Sequence, residues 1–259
     1  MRFADRVIYV TGGGHGIGRA VARRLASEGG SLVVSDRDAD AAEAVAREIV
    51  ATGGTAVATS CDITDASSVD GSFARMGERF GRLDVLVNTA GGDWIEPAAF
   101  EDITDELWTK KLDLNLGGIF RCIRAALPRL IAAGPGSSVV SIGSVNGTIA
   151  LSGYPYSAAK AGLEMLTKTL AAKYGPKGVR FNLITPGTIR TRVWDGREDR
   201  LVSLAGMYPL GRVGEPDDIA AAVAFLASAD AAWITGITLP VDGGLLAGPT
   251  KTFAAASGE

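Results

Sequence analysis

Histidine is almost absent from this chain: His15 is the only one in 259 residues. That single count excludes a Ser-His-Asp triad centred anywhere else, and it excludes a multi-histidine zinc site. Any proton transfer then falls to tyrosine, lysine or a carboxylate. Cysteine is scarce as well. Cys61 and Cys122 fall in different expected elements and make no disulfide framework. There is no basic block: 26 Lys and Arg stand against 29 Asp and Glu, for a net charge of −3, and the signs alternate, as in residues 195–200. Nucleic acid and anionic membranes are therefore not expected partners. No apolar run reaches the length of a membrane span, and the first residues carry no signal-peptide core. The expectation is a cytoplasmic, enzyme-sized domain without a metal.

What the chain has in abundance is apolar residues, at 47%, and glycine, at 34 residues. Its most informative stretch is residues 7–18. Residues 7–10 form a short apolar run, as a buried parallel strand would. Glycines then crowd positions 12, 13, 14, 16 and 18, and a helical pattern follows with Ala20, Val21 and Leu25 on its inner side. Strand, glycine turn and helix present backbone N–H groups and a helix N-terminus to a phosphate. The spacing departs from G-x-G-x-x-G, because the sixth position from Gly12 is Ile17. It fits a longer loop turning on Gly12, Gly16 and Gly18. A plain glycine-rich loop is the alternative.

Residues 31–36 read as the second strand, ending in Asp36, placed to accept from a ribose diol and to repel a 2′-phosphate. A simple strand-end cap is the alternative. A helix over 39–52, a strand over 55–61 ending before Asp62, a helix over 66–80 and a strand over 83–88 follow. Residues 105–132 are helical in pattern and enclose Asn115 among apolar neighbours, where a buried amide needs a partner. Residues 137–142, 181–185 and 236–241 complete seven expected strands. Their alternation with helices implies one doubly wound α/β domain with a mostly parallel sheet. The charged and aromatic segment 190–215 reads as a mobile substrate lid, and the tail from Gly248 as frayed. Tyr156 and Lys160 stand four apart at the start of a long helix, so they share a face. An ammonium near a phenol lowers its pKa and creates a base without histidine. Taken alone, such a pair is usually structural.

Together these residues resemble the short-chain dehydrogenase/reductase family over about residues 5–245. The motifs, in the family's order, are Thr11-Gly12-x-x-x-Gly16-Ile17-Gly18, Asp62, Asn88-Thr-Ala90-Gly91, Asn115, Ser144, Tyr156-x-x-x-Lys160 and Pro186-Gly187. The resemblance implies Tyr156 as general acid/base, with Lys160 lowering its pKa and bonding the nicotinamide ribose. It implies Ser144 as the group orienting the substrate oxygen and Asn115 as the holder of a water. Gly12, Gly16, Ile17 and Gly18 would cradle the cofactor, Asp62 its adenine, and Asn88 and Ala90 its adenosine ribose region. Ile189 and Thr191 would fix the carboxamide. Gly14, His15, Arg37, Ile63, Gly91, Pro186 and Gly187 join the expected cofactor set.

Two departures stand out. Thr89 replaces the family's usual second Asn, and Ser144 lies one residue closer to Tyr156 than is usual, with Ser141 as the alternative serine. Asp36 implies NAD rather than NADP, with Arg37 as the complication. The expected substrate is a small secondary alcohol or ketone, moderately apolar and cyclic or aromatic, against a wall drawn from Trp94, Ser144, Asn146, Tyr154, Trp194, Met207 and Tyr208. Ordinary core or surface roles are the alternative for most of these. A 3-oxoacyl-thioester reductase, a sugar dehydrogenase and a non-catalytic dinucleotide-binding regulator are the rival readings. The resemblance also implies a homotetramer built through the helices of Asn115 and Tyr156 and the last strand.

Overall fold

A computed structural model describes residues 1–92, 99–151 and 153–248. Trp94 and the tail after Gly248 lie outside the described residues. The strands are β1 (Val7–Thr11), β2 (Ser31–Asp36), β3 (Thr55–Ser60), β4 (Val85–Asn88), β5 (Ser137–Ile142), β6 (Val179–Pro186) and β7 (Thr238–Val241). The helices are α1 (Gly16–Ser27), α2 (Ala39–Ala51), α3 (Ala66–Phe80), α4 (Asp105–Leu112), α5 (Gly118–Ala133), α6 (Tyr154–Tyr174), α7 (Glu198–Ala205) and α8 (Pro216–Ala227). All seven strands pair in parallel, in the order β3-β2-β1-β4-β5-β6-β7. Strand order reverses between β1 and β4, and a crevice opens there at the carboxyl ends of the strands.

The side-chain period of two along each strand divides the core. Ile8 and Val10 of β1 face Val21 and Leu25 of α1, Val45 and Ile49 of α2, and Ile219 and Val223 of α8. Val7 and Tyr9 face the other layer, with Phe73 and Met76 of α3, Ile119 and Cys122 of α5, and Leu163 of α6. Each buried aliphatic side chain contributes about 1.5–3 kcal/mol, so the sheet is stabilised from both faces. The register aligns Thr11 with Ser35 and Asn88, and Asn88 with Ser141. That row lies toward the carboxyl ends of the strands, where the crevice opens.

One element differs from the pattern read in the sequence. The expected helix over 105–132 is two helices joined by a π-helical turn, Asp113–Gly117. A π turn inserts an extra residue without ending the helix, and here it carries Asn115 fully into the interior. Amphipathic spacing alone does not register such an insertion.

Candidate active site

The crevice is a cleft of about 620 Å³, within the roughly 300–1,000 Å³ of small-molecule and cofactor sites. Its floor begins at the glycine loop. Gly18 packs so closely that a Cβ there would stand 2.0 Å from the Gly12 carbonyl oxygen and 2.5 Å from Thr89 Oγ1. Thr89, the departure from the usual Asn, donates its hydroxyl to the Thr11 carbonyl. Thr11 Oγ1 in turn accepts the N–H groups of Thr89 (3.1 Å) and Ala90 (3.2 Å). Two threonines thus tie the ends of β1 and β4 together.

Asp36, almost buried at the end of β2, has both oxygens held by backbone. Oδ2 accepts from the Gly14 N–H at 3.0 Å and Oδ1 from the Asp38 N–H at 3.1 Å. Asp62 Oδ1 accepts from the N–H and hydroxyl of Thr64, at 2.8 and 2.7 Å. His15 Nε2 and Asp38 Oδ2 lie 2.9 Å apart across the mouth, and the hydrogen bond from His15, then that from the Ala41 N–H, hold the Asp38 carboxyl below its usual range.

At the opposite end, Tyr156 and Lys160 sit one turn apart on α6. The Lys160 ammonium lies 5.5 Å from the Tyr156 ring centroid. It is 4% exposed and donates to the Ile142 carbonyl at 2.9 Å, and burial lowers its pKa to about 8. Ser144 Oγ accepts the Asn146 N–H and lies 3.2 Å from Asn146 Oδ1, to which it donates. Gly91 occupies the gap between Asn115 and Lys160. With φ +151°, its Cβ would stand 2.9 Å from Asn115 Oδ1 and 3.6 Å from Lys160 Nζ, so only glycine fits.

Most of the expected site residues meet at this cleft: Gly12, His15, Gly16, Ile17, Gly18, Asp36, Arg37, Asp62, Ile63, Ala90, Gly91, Ser144, Tyr156, Lys160, Pro186, Gly187, Ile189 and Thr191 all line it. Others do not. Gly14 sits behind the loop, its N–H spent on Asp36. Asn88 points along the sheet, donating to Ser141 Oγ at 3.1 Å, and its Oδ1 has no partner among the described residues. The Asn115 amide clasps Gly92 in both directions, at 3.0 Å each way, and donates to the Lys111 carbonyl at 3.1 Å. Its side chain therefore braces the wall rather than lining it.

Five of the expected substrate-wall residues are also absent from this lining, three of them because the 190–215 segment folds on itself. Trp194 packs with Leu201, Val213 and the buried Tyr208 in a small separate cluster. Met207 is exposed, and Tyr154 is half-exposed against Phe100 in a T-shaped ring contact. Asn146 meets the site through Ser144. In their place the cleft is lined by Cys61, Thr64, Thr89, Gly92, Lys110, Asp113, Leu114, Arg192 and Val193. Asp113 and Leu114, which escaped the sequence reading, lie in the π turn, and Lys110 lies in the last turn of α4 just before it. Cys61 and Thr64 flank Asp62 at a strand end, which was the available signal.

A dinucleotide fits this arrangement: a glycine floor, a carboxylate at each of two adjacent strand ends, and a Tyr–Lys pair at the far end. Fold and cleft together define an oxidoreductase of the nicotinamide-dinucleotide class. The family model described as enoyl-(acyl carrier protein) reductase matches residues 12–246. The chain belongs to the short-chain dehydrogenase/reductase family. It is 39% identical to 2,5-dichloro-2,5-cyclohexadiene-1,4-diol dehydrogenase LinX of Sphingobium indicum, over 94% of this chain and 97% of that protein. It is also 39% identical to D-threitol dehydrogenase of Mycolicibacterium smegmatis, over 94% of each. Its fold superposes with a TM-score of 0.87 on a dehydrogenase/reductase from Sinorhizobium meliloti 1021, 36% identical, covering 94% of this chain and 96% of that one. Among the described residues no helix is long and apolar enough to cross a membrane.

Proposed function

We propose that this protein interconverts a small secondary alcohol and its ketone by NAD(H)-dependent hydride transfer, with Tyr156 as general acid/base. The observation that carries the reading is the buried Lys160 ammonium 5.5 Å from the Tyr156 ring, in one cleft with Ser144 and the glycine loop. The nicotinamide ring, when bound, supplies the hydride acceptor or donor. The protein's own residues do the rest. Tyr156 takes the proton from the substrate hydroxyl in oxidation and returns it to the carbonyl oxygen in reduction. Ser144, its Oγ held by the Asn146 N–H, turns its one hydroxyl proton from Asn146 Oδ1 to the same oxygen. The positive charge of Lys160 favours the Tyr156 phenolate, and the amide clasp of Asn115 on Gly92 keeps the facing wall in place. Asp36, held at both oxygens, supports NAD over NADP, because a fixed carboxylate opposes a 2′-phosphate.

The relatives named for a cyclic diol and for threitol support a vicinal or cyclic alcohol substrate. Exposed Phe120 on α5, Met165 on α6 and Trp233 close to β7 support a homotetramer, and a cytoplasmic setting completes the reading. The description of the matching family model favours one rival, an acyl-thioester reductase. The test is NADH formation or consumption over secondary alcohols, polyols, ketones and a 3-oxoacyl thioester, with Tyr156→Phe alongside. The expected result is turnover on an alcohol series that falls about 10²–10⁴-fold in the variant while NADH binding persists. Turnover confined to the thioester selects the rival. Bound NADH with no turnover on any substrate selects a regulator.

A further inference from the structure

Tyr208 is 6% exposed and lines a separate pocket of about 100 Å³, behind the main cleft. Its ring packs with Leu201 and Val213, a setting that phenylalanine would fill equally well. Its hydroxyl, however, is spent twice on one residue. It accepts the Thr188 N–H at 2.8 Å and donates to Thr188 Oγ1 at 2.7 Å. The ring reaches that position because Gly187 has no side chain: a Cβ there would stand 2.9 Å from Tyr208 Cε1. Nearby, the Leu210 N–H donates to the Gly243 carbonyl at 3.1 Å.

Thr188 is also held from its other side. Its carbonyl accepts the Gly214 N–H at 2.9 Å, and the Gly214 carbonyl accepts the Arg190 N–H at 2.8 Å. Every polar group of Thr188 is thus gripped by the stretch from Tyr208 to Gly214. Directly beyond Thr188, Ile189 and Thr191 enter the cleft lining. Thr191 Cγ2 lies only 3.1 Å from where a Gly16 Cβ would sit, so this segment closes against the glycine loop.

We propose that Tyr208 is a positioning residue which, through Thr188, fixes residues 187–191 at the catalytic end of the cleft and couples that wall to the stretch from Tyr208 to Gly214. The role rests on the dinucleotide reading above, and it concerns the nicotinamide end rather than the adenosine end.

The test uses the full chain and the variants Tyr208→Phe, Thr188→Val and their combination. Amide hydrogen exchange without any ligand reads the anchor itself. In Tyr208→Phe the Thr188 amide should exchange at least about tenfold faster for the loss of one hydrogen bond, with Gly13 and Gly14 unchanged. Titrations with NADH and with ADP-ribose, which lacks the nicotinamide ring, read its consequence. NADH should bind about tenfold more weakly and ADP-ribose should bind as in the parent. The double variant should match the single ones. A protected Thr188 amide in Tyr208→Phe, equal weakening of both ligands, or additive losses would each overturn the proposal. A parent protein that binds neither ligand removes the dinucleotide reading itself, and this role with it, whatever the exchange result.

Discussion

The two ends of the cleft are built from different materials. At the Asp36 end the contacts are backbone: the Gly14 and Asp38 N–H groups fix Asp36, and Gly18 lies against the Gly12 carbonyl. At the Lys160 end they are side chains brought from distant parts of the chain: Lys160 on the Ile142 carbonyl, Asn115 on Gly92, Tyr208 on Thr188. Backbone walls depend on glycine spacing and tolerate almost no added atoms. Side-chain walls tolerate change in shape but depend on burial and charge. The sharpest way to break the first wall is Gly18→Ala. With 2.0 Å between its Cβ and the Gly12 oxygen, β1 and α1 must separate, and a loss above about 4 kcal/mol is expected. Thermal unfolding checks this, and a variant within about 1 kcal/mol of the parent would refute such tight closure.

The second wall breaks through charge. Burial lowers the Lys160 pKa from 10.5 to about 8, so the folded protein gives up this proton before the unfolded chain does. The cost of the buried ammonium is therefore fully present below about pH 8 and is relieved as the pH rises toward 10.5. A shift of this size corresponds to about 3 kcal/mol. Relative to Lys160→Met, the parent should gain stability across that window, by denaturant unfolding at several pH values. Parallel curves for the two proteins would show that the ammonium is solvated after all.

Asp36→Ala sharpens the comparison from the side of the glycine loop. Removing the carboxylate should narrow the preference for NADH over NADPH by about tenfold, or ~1.4 kcal/mol, as read by binding titration. Arg37, which also lines the cleft, is then free of its acidic neighbour and available to a 2′-phosphate. A preference that stays unchanged would move the discrimination away from β2.

The same contrast explains what was legible in the sequence. The doubly wound sheet, its seven strands and the place of the glycine loop follow from local signals: apolar runs of strand length, glycine spacing, an acid at a strand end. The Tyr156–Lys160 pair is equally local, because four residues make one helical turn. The π turn is not: it carries Asn115 inward and sets Asp113 and Leu114 at the cleft, and nothing in the apolar pattern of 105–132 marks where it falls. Nor is the fold of 190–215 legible. Trp194 and Tyr208 have the composition of a substrate wall, but their bulk serves the segment's own small core, and nothing within a few residues of Tyr208 announces Thr188 as its partner.

Tyr154 gives the smallest effect and the finest division between the two kinds of wall. It precedes Tyr156 by two residues on α6, but it is 51% exposed and its ring meets the edge of Phe100, at 5.3 Å between centroids. An exposed aromatic pair of this kind contributes about 0.5–1.5 kcal/mol beyond its buried area, and half-exposure places Tyr154→Ala near the lower bound. The expected loss of stability is about 0.5 kcal/mol, with NADH affinity unchanged because neither ring lines the cleft. Turnover separates two roles for the pair. If it only covers the N-terminus of α6, kcat and KM for the alcohol both stay within about twofold, a difference of ~0.4 kcal/mol. A KM that rises selectively for bulky ring alcohols, with kcat preserved, would mean that bound substrate reaches beyond Val193 to the rim. The substrate wall would then begin outside the cleft, on side chains exposed to solvent.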